Sequence, residues 1–363
     1  MTGKNLVKHH VVIGGKHMDK RILLTGYGTV GQEFCRLVLE KQDIIARKYG
    51  FRPVLVGIRG SQAGVYDPHG LRIKQLLEFG KGSTALVRYA EAFGGAAQNL
   101  PFDADVLVES TPSQLEDGGP ALGYIRDAIS ARMHVVAISK GALVTHYQQI
   151  MAAAREQNVN IKYSGATAAA LPTLDIGQVS LAGTQLEAIE GILNGTTNYI
   201  LTRMHEEELS FTDALQHAQE KGIAEANPSL DTSGIDSACK ILLLSNSLLG
   251  TTLSLDQVEI AGIEGVNRED IRKAKSRNAQ LKLMAKAQLH PDHIKVSVSP
   301  SAIEHEHPLY GVNGTNKAVR FQTVEMGSIV CSGGASHPRG AAAAALKDLI
   351  NIFRRDTASS CEK

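Results

Sequence analysis

Asn194-Gly195-Thr196-Thr197-Asn198, followed by Glu225, Asp236 and Lys240, form a polar and ionisable cluster in an otherwise apolar stretch of the chain. Carboxylates, a lysine and a hydroxyl-bearing turn are the groups needed to hold a small polar substrate and to move a proton. Asp236 and Lys240 lie four residues apart, so a helix places them on one face about a turn apart. That spacing alone fits a solvated surface ion pair equally well. Lys240, however, directly precedes Ile241-Leu242-Leu243-Leu244, and Ala238-Cys239 fill the turn before it. This half of the helix reads as buried, and a functional site is the commonest reason for burying acids and bases. Glu225 and Asp231 sit in the loop entering the same helix and bring further carboxylates to its start.

A second constellation lies far upstream. Gly26-Tyr27-Gly28-Thr29-Val30-Gly31 directly follows the apolar run Ile22-Leu23-Leu24-Thr25 and opens a helical segment. Such glycines allow a tight turn and a close approach of backbone to a pyrophosphate, and the helix N-terminus offers free N–H groups to the anion. The fingerprint predicts a dinucleotide site on Gly26, Tyr27, Gly28, Thr29, Val30 and Gly31. The next strand ends at Ile58-Arg59 with no acid beside it. An acid there would bind the NAD ribose, whereas a cation accommodates the NADP 2′-phosphate, so Arg59 favours NADP. If Arg59 is only a solvated surface residue, NAD remains open.

Positioning these groups requires alternating strands and helices. Apolar runs at 22–25, 53–58, 104–109, 134–138 and 160–163 read as strands, with helices over 31–47 and 123–132 between them. Near-continuous apolar strands separated by helices imply a parallel sheet covered on both faces. After Pro172 the pattern changes. A strand at 186–193 enters the Asn194 turn, helices follow at 197–208 and 211–221, then a polar loop at 222–234 and a helix at 235–249. Strand-like patterns return over 283–304 and 318–330, and a last helix spans 340–354. The fold class expected is α/β: a Rossmann-type doubly wound parallel sheet plus a second, mixed α/β domain. The expected boundaries are an extension at 1–18, a dinucleotide-binding domain at 19–163, a substrate domain at 164–317, and a segment at 318–363 returning to the first domain.

Bulk properties agree with a two-domain globular protein. The chain has 363 residues, of which 43% are hydrophobic and 21% charged. A net charge of +1 points to neither nucleic acid nor a membrane surface as partner. No apolar run approaches the roughly 20 residues of a membrane span. Cys35, Cys239, Cys331 and Cys361 are scattered without a CxxC pair, which argues against zinc or a disulfide framework and fits a reducing cytoplasm. Residues 1–17 lack a signal-peptide pattern, and Met18 is a plausible natural start. His305-Glu306-His307 and His205-Glu206-Glu207-Glu208 lack metal-site spacing, and no metal is expected from them. Ser164-Gly165 lacks the G-x-S-x-G frame of a nucleophile elbow.

The segment Glu190-Gly191-Ile192-Leu193-Asn194-Gly195-Thr196-Thr197-Asn198-Tyr199-Ile200 resembles the signature of homoserine dehydrogenase. Ala224-Glu225-Ala226-Asn227-Pro228 through Asp231, Gly234-Ile235-Asp236 and Lys240 resembles the catalytic segment of the same family. Val135 to Lys140, His307-Pro308-Leu309, Asn316 with Ala318, and Gly333-Gly334-Ala335 extend the likeness from about residue 20 to the end. The resemblance is to the short form without a regulatory domain. It implies the NAD(P)-dependent interconversion of L-aspartate 4-semialdehyde and L-homoserine in threonine and methionine biosynthesis, by a homodimer built on the second domain's sheet. It also implies roles. Lys240 would donate the proton, and Lys140 would reach the same cleft and contact the cofactor. Glu225 and Asp236 would grip the substrate's α-ammonium group, with Asp236 counted among the catalytic residues. Asn194, Gly195 and Thr196 would supply further substrate contacts, and Ser110, Thr111 and Gly334 would contact the cofactor.

The chain departs from that family at several points. Ser164 falls where the family has a glutamate which, with nearby carbonyls, binds a monovalent cation. Carbonyls at Thr167, Ala169 and Leu171 remain, but a hard cation prefers charged oxygen, so the cation is in doubt here. Ser139 replaces an asparagine before Lys140, and Asn227 replaces an aspartate near Glu225. These changes keep open a related oxidoreductase acting on another small amino or oxo acid. A non-catalytic dinucleotide-binding sensor is the remaining alternative, and the retention of Lys140, Lys240, Glu225 and Asp236 argues against it.

Overall fold

The computed structural model describes residues 18–99, 101–333 and 337–354. The first domain is built on β1 (Met18–Thr25), β2 (Phe51–Arg59), β3 (Gly64–Tyr66), β4 (Val106–Glu109), β5 (His134–Ala137) and β6 (Ile161–Lys162). They lie in the order β3-β2-β1-β4-β5-β6, all parallel except the antiparallel edge strand β3. The expected doubly wound sheet is therefore present. Alternate residues of β1 feed opposite faces, as a period of two requires. Ile22 and Leu24 join a core with Phe34, Val38 and Leu349, whereas Leu23 joins one with Leu122 and Ile125. Apolar residues at successive positions are thus all buried.

The second domain carries β7 (Leu186–Ile192), β8 (Glu259–Ile260), β9 (Ala279–Leu289), β10 (Ile294–Glu304), β11 (Lys317–Thr323) and β12 (Gly327–Gly333). Their order is β12-β11-β7-β9-β10-β8, antiparallel except for the β10–β8 pair. Helices Gly195–Glu207, Ile235–Leu248 and Arg268–Ser276 pack against β9.

The segment expected to return to the first domain from 318 onward divides. β11 and β12 stay in the second sheet because β11 pairs with β7, and only the helix Pro338–Phe353 crosses back. It packs along the helix Thr29–Tyr49, where Arg339 pairs with Glu33 at 3.1 Å and Glu40 at 2.5 Å. The sequence reading places no element between Ile58 and Ala104, yet β3 and the helices Ile73–Glu78 and Gly82–Phe93 lie there. β3 and Ile73–Glu78 are too short to show a period and are followed by Gly80 and Gly82, both at positive φ. The 12-residue helix Gly82–Phe93, by contrast, buries Ala85, Leu86 and Tyr89 on one face, a signal that was available in the sequence.

Candidate active site

The cofactor cradle forms where β1, β4 and β5 end together, the point at which strand order reverses and a crevice opens. Gly26 leaves β1 with φ +84°, and a Cβ there would lie 2.4 Å from the Ser110 carbonyl oxygen. A Cβ on Gly31 would lie 2.2 Å from the Gly26 carbonyl oxygen. These two glycines let strand, loop and helix pack. Gly28 differs, because nothing lies within 4 Å of its Cβ direction. It precedes the helix Thr29–Tyr49, which has no side-chain cap and no acid in its first turn. Free N–H groups at the positive end of a helix dipole thus face open space, and the residues fit a dinucleotide pyrophosphate.

The surrounding side chains brace this loop. Ser110 donates from its hydroxyl to the carbonyls of Thr25 (3.0 Å) and Gly26 (2.8 Å). Lys81, unremarked in the sequence, brings its Nζ to 2.8 Å from the Thr29 hydroxyl and adds positive charge at the helix start. Val30 is half-buried against the core. Tyr27 turns its side chain into the fold. Its ring is 2% exposed and belongs to the core, so only its backbone can face a cofactor. Burial pushes its phenol above the ordinary tyrosine range. Arg59 ends β2 and donates to the Gln98 carbonyl. Gly334 lies outside the described residues.

The ionisable cluster assembles opposite this cradle. β7 ends at Ile192, and Asn194 caps the helix Gly195–Glu207 by accepting from the Thr197 N–H at 2.9 Å. The Asn194 amide also donates to Asp231 (2.6 Å) and Asp236 (2.8 Å). Asp236 occupies the first turn of the helix Ile235–Leu248, where a carboxylate meets the positive helix end. One of its oxygens lies 2.5 Å from Lys240 Nζ and the other 3.0 Å from Lys140 Nζ. Lys140 comes from the turn after β5, so the two lysines reach one carboxylate from different domains.

Lys240 also donates to the Leu193 carbonyl at 2.9 Å. Two of its three ammonium protons are thereby engaged, and one stays free for a ligand. Burial pushes the Asp236 carboxyl up, but the Lys240 and Lys140 ammonium groups outweigh it and hold the group well below the usual carboxylate range. Lys140 shows the reciprocal effect. Burial pulls it down, and the Asp236 carboxylate more than offsets this and raises it.

Of the expected substrate and catalytic groups, Asn194, Gly195, Thr196, Asp236, Lys140 and Lys240 gather around this point. Thr196 donates to the Ile223 carbonyl at 3.2 Å and ties down the loop that carries Glu225. Glu225 itself is exposed, and its backbone carbonyl accepts from Gln219 at 3.1 Å. Thr111 turns inward, its N–H donating to Glu109 at 2.6 Å and its hydroxyl donating to the same carboxylate.

Four buried ionisable residues, Glu109, Lys282, Lys317 and Asp348, escaped the sequence reading. Glu109, 0% exposed, accepts from the Ser139 hydroxyl at 2.5 Å and so links β4 to the Lys140 turn. Burial pushes its carboxyl up. A single acid ending the apolar run Val106-Leu107-Val108 was the available signal. Lys282 donates to the Val312 carbonyl (2.8 Å) and the Asn313 side chain (2.6 Å), and burial brings it down to about 8. Lys317, 2% exposed, donates to the Ala168 carbonyl at 3.2 Å. Burial, with a smaller push from Lys240, brings it down to about 8.

Several polar groups of the 164–172 turn are engaged by the chain itself. Ser164 donates from its N–H and its hydroxyl to Asp348, both at 2.8 Å, and its hydroxyl accepts from Lys347 at 2.7 Å. The Leu171 carbonyl accepts from the Thr173 N–H at 2.8 Å, and Lys317 already holds the Ala168 carbonyl. No cluster of three or more His, Cys, Asp or Glu suited to a metal occurs among the described residues.

The two halves of the chain match two family models: "Homoserine dehydrogenase, NAD binding domain" over residues 26–164 and "Homoserine dehydrogenase" over 172–350. The homoserine dehydrogenase of Methanocaldococcus jannaschii is 33% identical over 92% of this chain and 98% of its own length. An NAD(+)-dependent homoserine dehydrogenase of Pseudomonas canavaninivorans is 32% identical over 93% of this chain and 97% of its own. The crystal structure of a putative homoserine dehydrogenase from Archaeoglobus fulgidus superposes with a TM-score of 0.80 at 30% identity, covering 93% of this chain and all of that one. With a dinucleotide cradle facing a two-lysine carboxylate cluster, and with both halves matched in order, the chain belongs to the homoserine dehydrogenase family.

Proposed function

We propose that this cleft reduces the aldehyde of L-aspartate 4-semialdehyde to L-homoserine, and runs the reverse reaction, with Lys240 as the proton donor. The observation that carries the reading is the convergence of Lys140 and Lys240 on Asp236 beside the dinucleotide cradle. A bound nicotinamide dinucleotide supplies the hydride. Lys240, with one ammonium proton free, stabilises the developing alkoxide and passes its proton to that oxygen. Lys140 adds a second positive charge from the cofactor domain. Asp236, whose oxygens already hold both lysines, orients them, which leaves the exposed Glu225 to take the substrate's α-ammonium group. The N-terminus of the helix Gly195–Glu207, with Asn194 and Thr196 beside it, suits the substrate carboxylate.

Arg59 at the end of β2, with Lys81 near the helix start, supports NADP as the preferred cofactor. The NAD(+)-dependent relative favours the second reading, NAD. No helix among the described residues is long and apolar enough to cross a membrane. Free Cys35 and Cys239 in the core accord with a cytoplasmic enzyme. Exposed Val324, Met326 and Val330 give the β11–β12 flank an apolar surface suited to a homodimer. The 26–164 and 172–350 matches support a cofactor domain followed by a substrate domain.

The decisive experiment follows NADPH and NADH oxidation with aspartate semialdehyde, then repeats it with Lys240→Ala. The variant is expected to lose about 10²- to 10⁴-fold in kcat with little change in cofactor binding. An unaltered kcat would refute Lys240 as donor. Turnover confined to another aldehyde or ketone would refute the substrate.

A further inference from the structure

Lys317 enters β11 beside the substrate cluster. Its neighbour Ala318 pairs with Ile192, the residue before Leu193, whose carbonyl accepts from Lys240. From there its side chain runs inward, nearly without exposure, to the Ala168 carbonyl at 3.2 Å. A buried ammonium requires acceptors or a compensating charge. This one is spent on the turn where the family resemblance implies a monovalent cation and where the family glutamate has become Ser164. The loss of the carboxylate and the presence of the lysine are complementary. A turn with an unpaired carboxylate and free carbonyls attracts a cation, whereas here the buried Asp348 carboxylate is taken up by Ser164 and Lys347 and an ammonium already sits on the Ala168 carbonyl.

The charges packed against the turn are also paired within the chain. Asp348, fully buried, takes two donors from Ser164 and lies 3.1 Å from Lys347 Nζ. Lys347 in turn pairs with Asp175. Ala169, at φ +53°, lies next to the carbonyl that Lys317 holds, so the backbone there is kept in an uncommon conformation.

We propose that the Lys317 ammonium is a covalently tethered replacement for a monovalent cation, fixing the 164–171 turn beneath the substrate cleft so that the enzyme needs no sodium or potassium. Lys317 acts through the turn and the neighbouring Lys240–Asp236 pair, and is a positioning residue. The proposal rests on the reading of the cleft given above, but half of its test does not depend on turnover.

The test compares wild type, Lys317→Ala and Lys317→Met in sodium, potassium, ammonium and choline chloride at equal ionic strength, by thermal melting and by steady-state kinetics. Wild type is expected to melt at the same temperature and turn over at the same rate in all four salts. Lys317→Ala is expected to lose about tenfold in kcat in choline chloride, a shift of about one decade in the rate-limiting barrier factor. It should recover part of this, saturably, with sodium, potassium or ammonium, and its melting temperature should rise over the same concentration range. Lys317→Met fills the space without a charge and is expected to stay impaired in every salt. A saturable rise of the wild-type melting temperature with sodium or potassium would overturn the proposal, because it reveals a working alkali site. So would a Lys317→Met enzyme with wild-type kcat, or a folded Lys317→Ala that no small cation rescues. If neither variant folds, the wild-type salt comparison decides alone. Wild type that melts identically in all salts yet ignores aspartate semialdehyde would refute the substrate and leave the tethered cation standing.

Discussion

Asp236 is where the competing residue-scale forces are largest. Burying a carboxylate costs several kcal/mol unless opposite charge and hydrogen bonds return it. Here Lys140, Lys240 and the Asn194 amide do so, and the group sits well below the usual carboxylate range. The sign follows from linkage. A carboxyl whose folded pKa lies below its unfolded value contributes stability that is complete above the unfolded pKa, about 4, and is lost as pH falls through that value toward the folded one. Asp236→Asn should therefore melt well below wild type at pH 7, and the gap should close progressively below about pH 4. Melting curves of both proteins between pH 7 and pH 3 check this, and a gap that stays constant would show that Asp236 is not the titrating group. Part of this site was legible in the sequence. The four-residue spacing of Asp236 and Lys240 survives folding because a helix preserves it. The Lys140 contact spans two domains, and the Lys317–Ala168 contact spans 149 positions, so local patterning carries no trace of either.

At the scale of elements, the strand–glycine–helix unit was legible because each part has a local cause. An apolar run forms β1, glycines make the turn, and Phe34, Leu37, Val38 and Ile45 give the helix its buried face. The region between β2 and β4 was missed: β3 and Ile73–Glu78 are too short to show a period, although the 12-residue helix Gly82–Phe93 carries a legible apolar face at Ala85, Leu86 and Tyr89. The glycine loop separates two functions that the motif alone merges. Gly31→Ala would drive a methyl to 2.2 Å from a backbone carbonyl that cannot retreat, and should cost about 1–3 kcal/mol of stability. Gly28→Ala meets nothing in the fold, so its cost to stability should stay under about 0.5 kcal/mol. The added methyl would instead occupy the approach of the pyrophosphate, and the KM for the dinucleotide should rise at least about tenfold, or about 1.4 kcal/mol. Denaturant titration and cofactor kinetics on the two variants separate these effects. Equal loss of stability in both would show that Gly28 is structural rather than a cofactor contact.

Across the whole molecule, the two domains are linked at more than one place. The last helix, Pro338–Phe353, buries Leu349 in the first domain's core while Asp348 beside it holds Ser164. Lys140 from the cofactor domain lies 3.0 Å from Asp236 in the substrate domain. The chain thus crosses between domains twice, and the Lys140–Asp236–Lys240 cluster itself bridges them, so neither domain can open without exposing buried charge in the other. A ligand that binds only the native state stabilises by RT ln(1 + [L]/Kd), about 2.7 kcal/mol at a hundred times Kd. If the domains unfold as one, a saturating dinucleotide bound to the first should move a single transition of the entire chain by that amount. If they unfold separately, it should move one transition and leave the other in place. Calorimetry of wild type with and without NADP distinguishes the two, and one shifted transition is expected. Asp236→Asn removes the bridging carboxylate while the last helix remains. It should split or broaden that transition if the cluster carries the coupling, and leave it single if the helix suffices. The buried pair Leu349 and Asp348 argues for the helix, so the variant is expected to keep one transition at a lower temperature.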